Sequence, residues 1–367
     1  MNERERFVRT LTCTSPDRPS YGDYLAYEST QKRWEREGLP KGLSRQQLFD
    51  YFSFDHIDVW QNDKLVFNAS PLPSFPIEIV EETAEYIIER SGNAVVKRLK
   101  NMPPPAMPQF ISHAIADRAG WLKLKERLDP DSPGRLPENL PAIAKDSPHR
   151  QTPLGIWLGG TYGLIRNWMG LENASYLFHD DLKWVEEMID HLTFFYSTLA
   201  KGIFQAGVQL DWVMFWEDMA YNHGPLLSPE LYRKYCMPFY RVMVDLARRH
   251  GVKVIMLDSD GQIGELIPIW LEAGINVMHP MEVAAGMDVR KIRRQYGNQI
   301  RFLGGIDKRA IAQGPAAIDA DVIPKVRAIM ESGGGMVTQC DHGVPPDISL
   351  ANFVYFHDLV RKVFEKG

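Results

Sequence analysis

The chain has 367 residues, 44% of them hydrophobic and 24% charged, with 42 Lys and Arg against 47 Asp and Glu for a net charge of −5. This is the composition of a globular enzyme, and its slight acidity with dispersed cations excludes the basic footprint of a nucleic-acid binder. No segment reaches the roughly 18 consecutive apolar residues of a membrane-spanning helix, and Cys13, Cys236 and Cys340 are too scattered for a C-x-x-C site or a disulfide framework. A cytoplasmic protein with no membrane partner is expected.

Up to about residue 150 the chain is irregular and punctuated by turn signals. PLPSFP (71–76), PPPAMP (103–108) and DPDSPGRLPENLP (129–141) lock φ and remove backbone donors, so they read as ordered connections. KLVFNAS (64–70) reads as a less regular strand. From Pro153 a βα rhythm sets in, with apolar runs LGIWL (154–158), DWVMFW (211–216), VKVIML (252–257), INVMH (275–279), RFLGG (301–305) and GMVTQ (335–339). Most have no polar alternation, as parallel strands covered on both faces require.

Between the first two runs, Trp184, Met188, Ile189, Leu192, Phe195, Tyr196 and Leu199 form a stripe at helical spacing. Ser228-Pro229 caps and starts the next helix, Arg248-Arg249-His250-Gly251 stops it, and Pro238 kinks or divides it. Such units, with less regular strands upstream, favour a single α/β domain over 1–367. The expected fold is a (β/α)8 TIM barrel with an elaborated N-terminal segment over about 1–150 and regular βα units over about 151–367. No G-x-G-x-x-G follows an early strand, which weakens a dinucleotide-binding reading.

In such a barrel the residues just after each strand form the active face. Here they are Tyr162; Glu217 and Asp218; Asp258 and Asp260; His279 and Glu282; Lys308 and Arg309; and Gln339 and His342. Asp258 and Asp260, two apart after an all-apolar strand, point to one side. Paired like charges call for a cation or a shared proton, which makes the pair candidate metal ligands or catalytic groups; the alternative is an Asx turn capping a helix near Gln262. His342 completes a carboxylate–imidazole set suited to zinc, or is a loop histidine. Glu217, beside Trp216, is a candidate acid, base or fourth ligand, or one of Glu217 and Asp218 caps a turn. Lys308 and Arg309, after a Gly-rich strand end, are placed to hold an anionic group, or are solvated. Tyr162, Arg166, His279, Glu282 and Gln339 are candidate substrate contacts, and Tyr21, Tyr24, Tyr27 and Trp34 form an aromatic wall or simply pack.

FWEDMAYNHGPLLSPELYRKYCMPFYRVMVDLARRHG, LDSDG, GGIDKR and CDHGVPPDISLANF, with GGTYGLIRNWMG and the N-terminal NERERFVRTL…PDRP, resemble the uroporphyrinogen decarboxylase superfamily. The resemblance implies one (β/α)8 barrel, often dimeric, and two branches of function. True decarboxylases carry an arginine-rich FMRQAGRY-type stretch, whereas this chain has PSYGDYLAYEST, with Asp23 in a broadly similar region. In the cobamide-dependent methyltransferases zinc is held by H-x-C and a distal Cys. These positions fall here on Asp258, Asp260 and His342, with Cys340 and Asp341 as neighbouring alternatives for the last. Oxygen and nitrogen donors make a harder Lewis acid than thiolates do. The resemblance therefore implies a zinc-dependent methyltransferase or O-demethylase that passes a methyl group from a small methoxy-type donor to a corrinoid partner protein. The alternative is a cofactor-free decarboxylase of uroporphyrinogen or a related acid, with Arg166, Lys308 or Arg309 neutralising substrate carboxylates.

Overall fold

The computed structural model describes residues 1–23, 26–57, 59, 67–101 and 108–365. The chain opens with the helix Glu3–Thr12, capped by Asn2, whose side chain accepts from the Glu5 amide. An antiparallel four-stranded sheet follows, built from β1 (Glu78–Glu82), β2 (Tyr86–Ser91), β3 (Ala94–Leu99) and β4 (Gln109–Ser112). The sequence reading did not anticipate it. Of the less regular strand expected at KLVFNAS, residues 64–66 lie outside the described residues and 67–70 form no strand; residues 102–107 of PPPAMP are likewise not described.

The remaining strands are β5 (Gly155–Trp157), β6 (Trp212–Trp216), the two-residue pair β7 (Ala220–Tyr221) and β8 (Gly224–Pro225), β9 (Val254–Asp258), β10 (Val277–His279), β11 (Arg301–Ile306) and β12 (Met336–Cys340). Apart from β7 and β8 they form one parallel sheet in the order β12-β11-β10-β9-β6-β5, and each coincides with an apolar run identified in the sequence. Two irregular segments occupy the gap between the outer strands. Tyr21 makes a parallel bridge to Thr338 on β12, the Asp55 amide donates to the Tyr21 carbonyl at 2.7 Å, and Trp157 Nε1 on β5 donates to the Val59 carbonyl at 2.8 Å. Asp55 pins this seam, accepting from the Tyr21 amide at 2.9 Å and from Arg6 and Arg18. The result is the expected TIM-barrel fold with six ladder-paired strands.

Alternation along the strands builds two cores. Val213, Phe215, Ile255, Leu257, Met278 and Phe302 face the surrounding helices, including Leu182–Gln205, which carries the predicted stripe. Trp212, Met214, Val254, Met256, Val277, Leu303 and Val337 fill the barrel, and Phe7 and Leu11, one helical turn apart, plug it from the N-terminal side. Ser228 caps its helix as predicted, and the helix changes character ahead of Pro238, a π turn over Tyr232–Cys236 giving way to Met237–Arg249.

Gly155 shows how tightly the interior closes, because a Cβ there would meet the Trp212 ring at 2.0 Å. Gly155→Ala should destabilise the protein by about 3 kcal/mol, at the upper end of overpacking costs, seen as a lower urea midpoint with an unchanged slope.

Candidate active site

The same alternation that buries Val254 and Met256 inside the barrel places Asp258 at its C-terminal rim, next in register to Trp216 on one side and His279 on the other. Gln339, two residues beyond inward-facing Val337, joins them; it is 4% exposed, and its Oε1 finds no hydrogen-bond partner. His279 Nδ1–H donates to the Leu303 carbonyl at 2.8 Å, since a carbonyl can only accept. Nε2 is therefore the unprotonated nitrogen of the neutral ring, and it stands 3.9 Å from Asp258 Oδ1. Burial holds His279 down to about 3, so this imidazole is neutral at physiological pH.

Asp260 pairs with His342, whose Nε2 lies 3.4 Å from Asp260 Oδ2 while Nδ1 shares a 2.9 Å hydrogen bond with the Tyr27 hydroxyl. Burial pushes Asp260 up, but the His342 imidazole, with His279 and Lys308, outweighs it and holds the carboxyl below its usual range. Asp260 in turn raises His342. Burial pushes the Tyr27 phenol up to about 12, with Asp260 adding to the effect. Asp258 is raised far above the carboxylate range by burial, then by repulsion from Asp260 and Asp218. No hydrogen bond reaches its side chain among the described residues. Nor does an amide after Asp260 donate to either carboxyl, and the next helix begins only at Ile267, so these aspartates do not form the Asx cap considered as the alternative.

The structure sends Glu217 and Asp218 to different places. Trp216 points inward, so Glu217 points outward into the shell between strands and helices and is 0% exposed. Its carboxylate accepts from the Thr161 amide (2.8 Å) and hydroxyl (2.5 Å), the Gly163 amide (2.7 Å), Tyr232 (3.4 Å) and Tyr240. Burial pushes it up to about 7 against these donors. The expectation that Glu217 is a fourth ligand or proton handler is corrected accordingly: it fastens the GGTYG turn to the barrel. Asp218 instead takes a left-handed φ of 50° that returns it to the rim. There Oδ1 accepts from the Asp260 amide at 3.3 Å, and Oδ2 pairs with Arg166 at 3.5 Å. Burial and then Asp260 raise it.

Other predicted contacts divide the same way. Lys308 pairs with Glu282 at 3.3 Å, and Glu282 also accepts from the Gly261 amide, tying three loops together. Asp341 clamps the amides of Val283 and Lys308. Arg309 folds back on Asp307 at 2.8 Å and is mostly solvated, so it does not hold an anion in the mouth. Tyr162 is enclosed, edge-on to Phe178, and is core rather than a substrate contact. Tyr21 and Trp34 are also core, Tyr24 lies outside the described residues, and of the four aromatics Tyr27 reaches the cluster. Asp23 is sealed in the seam, accepting from His357 at 2.8 Å and from the Cys340 amide at 3.1 Å, so it is not a mouth residue. Sequence spacing alone had a usable signal for Glu217, because its neighbour Trp216 belongs to the inward set; the partners of Asp23 and Tyr27 lie more than 300 positions away and had none.

The family description "Uroporphyrinogen decarboxylase (URO-D)" matches residues 100–363. The chain belongs to this family. It is 25% identical over 192 residues to a protein named uroporphyrinogen decarboxylase from Pseudomonas aeruginosa, covering 51% of this chain and 50% of that protein. A protein of the same name from Hahella chejuensis is 26% identical over 148 residues, covering 38% and 39%. The chain thus spans about half or less of the length of these curated relatives. Among solved structures, a methyltransferase from Methanosarcina mazei superposes with a TM-score of 0.62 at 15% identity, covering 100% of this family member and 99% of that chain. That likeness speaks for the fold.

Whether the family member's rim fits a metal is a question of donor chemistry and charge. Among the described residues no group of three or more His, Cys, Asp or Glu side chains is placed to hold a metal ion; the groups meet in pairs, Asp260 with His342 and Asp258 with His279. Their oxygen and imidazole donors are those a divalent cation such as zinc takes. The buried Asp258 carboxyl lacks the donors that an ionised group in such a place requires.

Proposed function

We propose that this family member is a metal-dependent methyltransferase or O-demethylase component, in which Asp258, Asp260 and His342 hold a divalent cation, with zinc the best match to the donor set. A small methoxy-type compound enters the mouth, and a corrinoid on a partner protein takes its methyl group. The observation that carries this reading is the charge pairing of the mouth. Arg166 is bound by Asp218 and Lys308 by Glu282, while the Asp258 carboxyl, whose ionisation burial opposes, has no cation of its own among the described residues. Such a mouth offers a polycarboxylate no unpaired Arg or Lys among the described residues, and a divalent cation would favour the ionised form of Asp258 by taking the place of its proton.

A divalent cation bound there supplies Lewis acidity at the donor's ether oxygen. The chain's own residues do the rest. Tyr27 orients His342, the Leu303 carbonyl fixes the His279 tautomer, and Trp216 and Gln339 wall the rim around the reacting group. Elemental analysis of the purified protein beside the Asp260→Ala, His342→Ala double variant tests the proposal. About one zinc per chain, lost in the variant, is expected. No bound metal after zinc supplementation would overturn the proposal, and release of carbon dioxide from uroporphyrinogen would support the decarboxylase alternative.

A further inference from the structure

At the opposite end of the barrel a second cavity of about 470 Å³ opens beneath the N-terminal helix. The triple glycine 333–335 ahead of β12 forms one wall, and Pro16, Ile329 and Phe364 form others. Cys13, which ends the helix Glu3–Thr12 in a left-handed φ of 55°, lines it and is half-buried. Behind the sulfur stands Arg293, 4% exposed. Its guanidinium lies over the Phe302 ring at 5.4 Å, and one nitrogen is held by Asn298. Nε and the other terminal nitrogen find no hydrogen-bond partner, and no carboxylate among the described residues pairs with this buried cation. A Cβ on Gly335 would lie 2.7 Å from Cys13 Sγ and 2.9 Å from that terminal nitrogen, so sulfur and guanidinium close on one gap that glycine keeps open.

We propose that Cys13 is a covalent modification site, a thiol assisted by Arg293 in exchanging with low-molecular-weight disulfides that enter this cavity. The Cys13 sulfur attacks one sulfur of the incoming disulfide, that S–S bond breaks, and a mixed disulfide forms. The second sulfur leaves with the electron pair as a thiolate, and the Cys13 proton passes to solvent. Cys13 is oxidised and the departing sulfur reduced, so no further oxidant is required. Negative charge spread over the sulfurs during attack meets a guanidinium that has no other anion to satisfy. From the side of Arg293, burial lowers its tendency to stay charged and Cys13 opposes this only in part.

The experiment treats the native full-length protein with oxidised glutathione or iodoacetamide and follows each cysteine by peptide mass. Cys13 should be modified at least about tenfold faster than in an unstructured peptide of residues 8–18. Cys236 and Cys340, both 0% exposed, should stay unmodified and so report that the fold is intact. Arg293→Gln and Arg293→Met should slow Cys13 by about tenfold while Arg293→Lys retains most of the rate. Equal rates in wild type and Arg293→Gln, with Cys236 and Cys340 still protected, would overturn the proposal. If the variants unfold, wild-type Cys13 reacting no faster than the peptide would overturn it equally.

Discussion

Asp260→Ala should lower turnover by at least about two orders of magnitude and bring bound zinc to background, because under the proposed function it removes a charged ligand rather than a supporting contact. In the structure this carboxylate is the counter-charge of His342, so its loss removes one of the contacts that hold the imidazole in place as well. Tyr27→Phe provides a graded comparison. It leaves every proposed ligand in position but deletes the 2.9 Å hydrogen bond that orients His342, and the expected cost in zinc affinity is about 10- to 100-fold. Chelator competition measures both variants independently of any substrate. A Tyr27→Phe protein that binds zinc as tightly as wild type would show that the hydrogen bond orients nothing.

Glu217→Ala should have the largest effect on stability, about 3 kcal/mol or more, because it strands five donors in a place that water does not reach. The GGTYG turn would lose its anchor while the Asp260–His342 pair, whose members are not among those five donors, would keep the zinc proposed for it. Urea unfolding and elemental analysis therefore separate the two roles. Titration gives a second check. The folded carboxyl is raised to about 7 by burial from an ordinary value of 4.5, so between these pH values the native state holds a proton that the unfolded chain has released. The contribution of Glu217 is present in full below pH 4.5 and fades by about 3 kcal/mol as pH rises through 7. Wild type should lose that much stability between pH 4.5 and pH 8 relative to Glu217→Gln, whose side chain does not titrate. Parallel stability curves for the two proteins would contradict the assignment of about 7 to this group.

Much of the barrel is written locally. Continuous apolar runs that start and stop at Gly, Asp or Pro specify buried parallel strands, and all six that were read from the sequence occur in the sheet. Asp258 on the inner face follows from period-two alternation with Val254 and Met256, which requires no knowledge of the rest of the chain. The antiparallel sheet β1–β4 was not legible in that way. Its outer strands β1 and β4 are exposed, so Ile79 and Val80 on β1 stand beside Glu78, Glu81 and Glu82 without marking an inner face.

The sequence by itself determined the six parallel strands, the helix ends at Ser228 and Gly251, the acidic residues at the strand ends and the family pattern, because each depends on neighbours a few residues apart. Tertiary structure alone decided which of these residues act together. Tyr27 reaches His342 and Asp23 is sealed by His357 because the first residues fold back on the end of the last strand and on the last helix, and Arg293, on the helix Val289–Tyr296, stands against Cys13 at the end of the first helix. A single backbone angle, the left-handed φ of Asp218, decided that this acid returns to the mouth, while alternation with Trp216 had already turned Glu217 away from it. Pairings across such distances depend on how the chain closes on itself, and residue spacing carries no record of that.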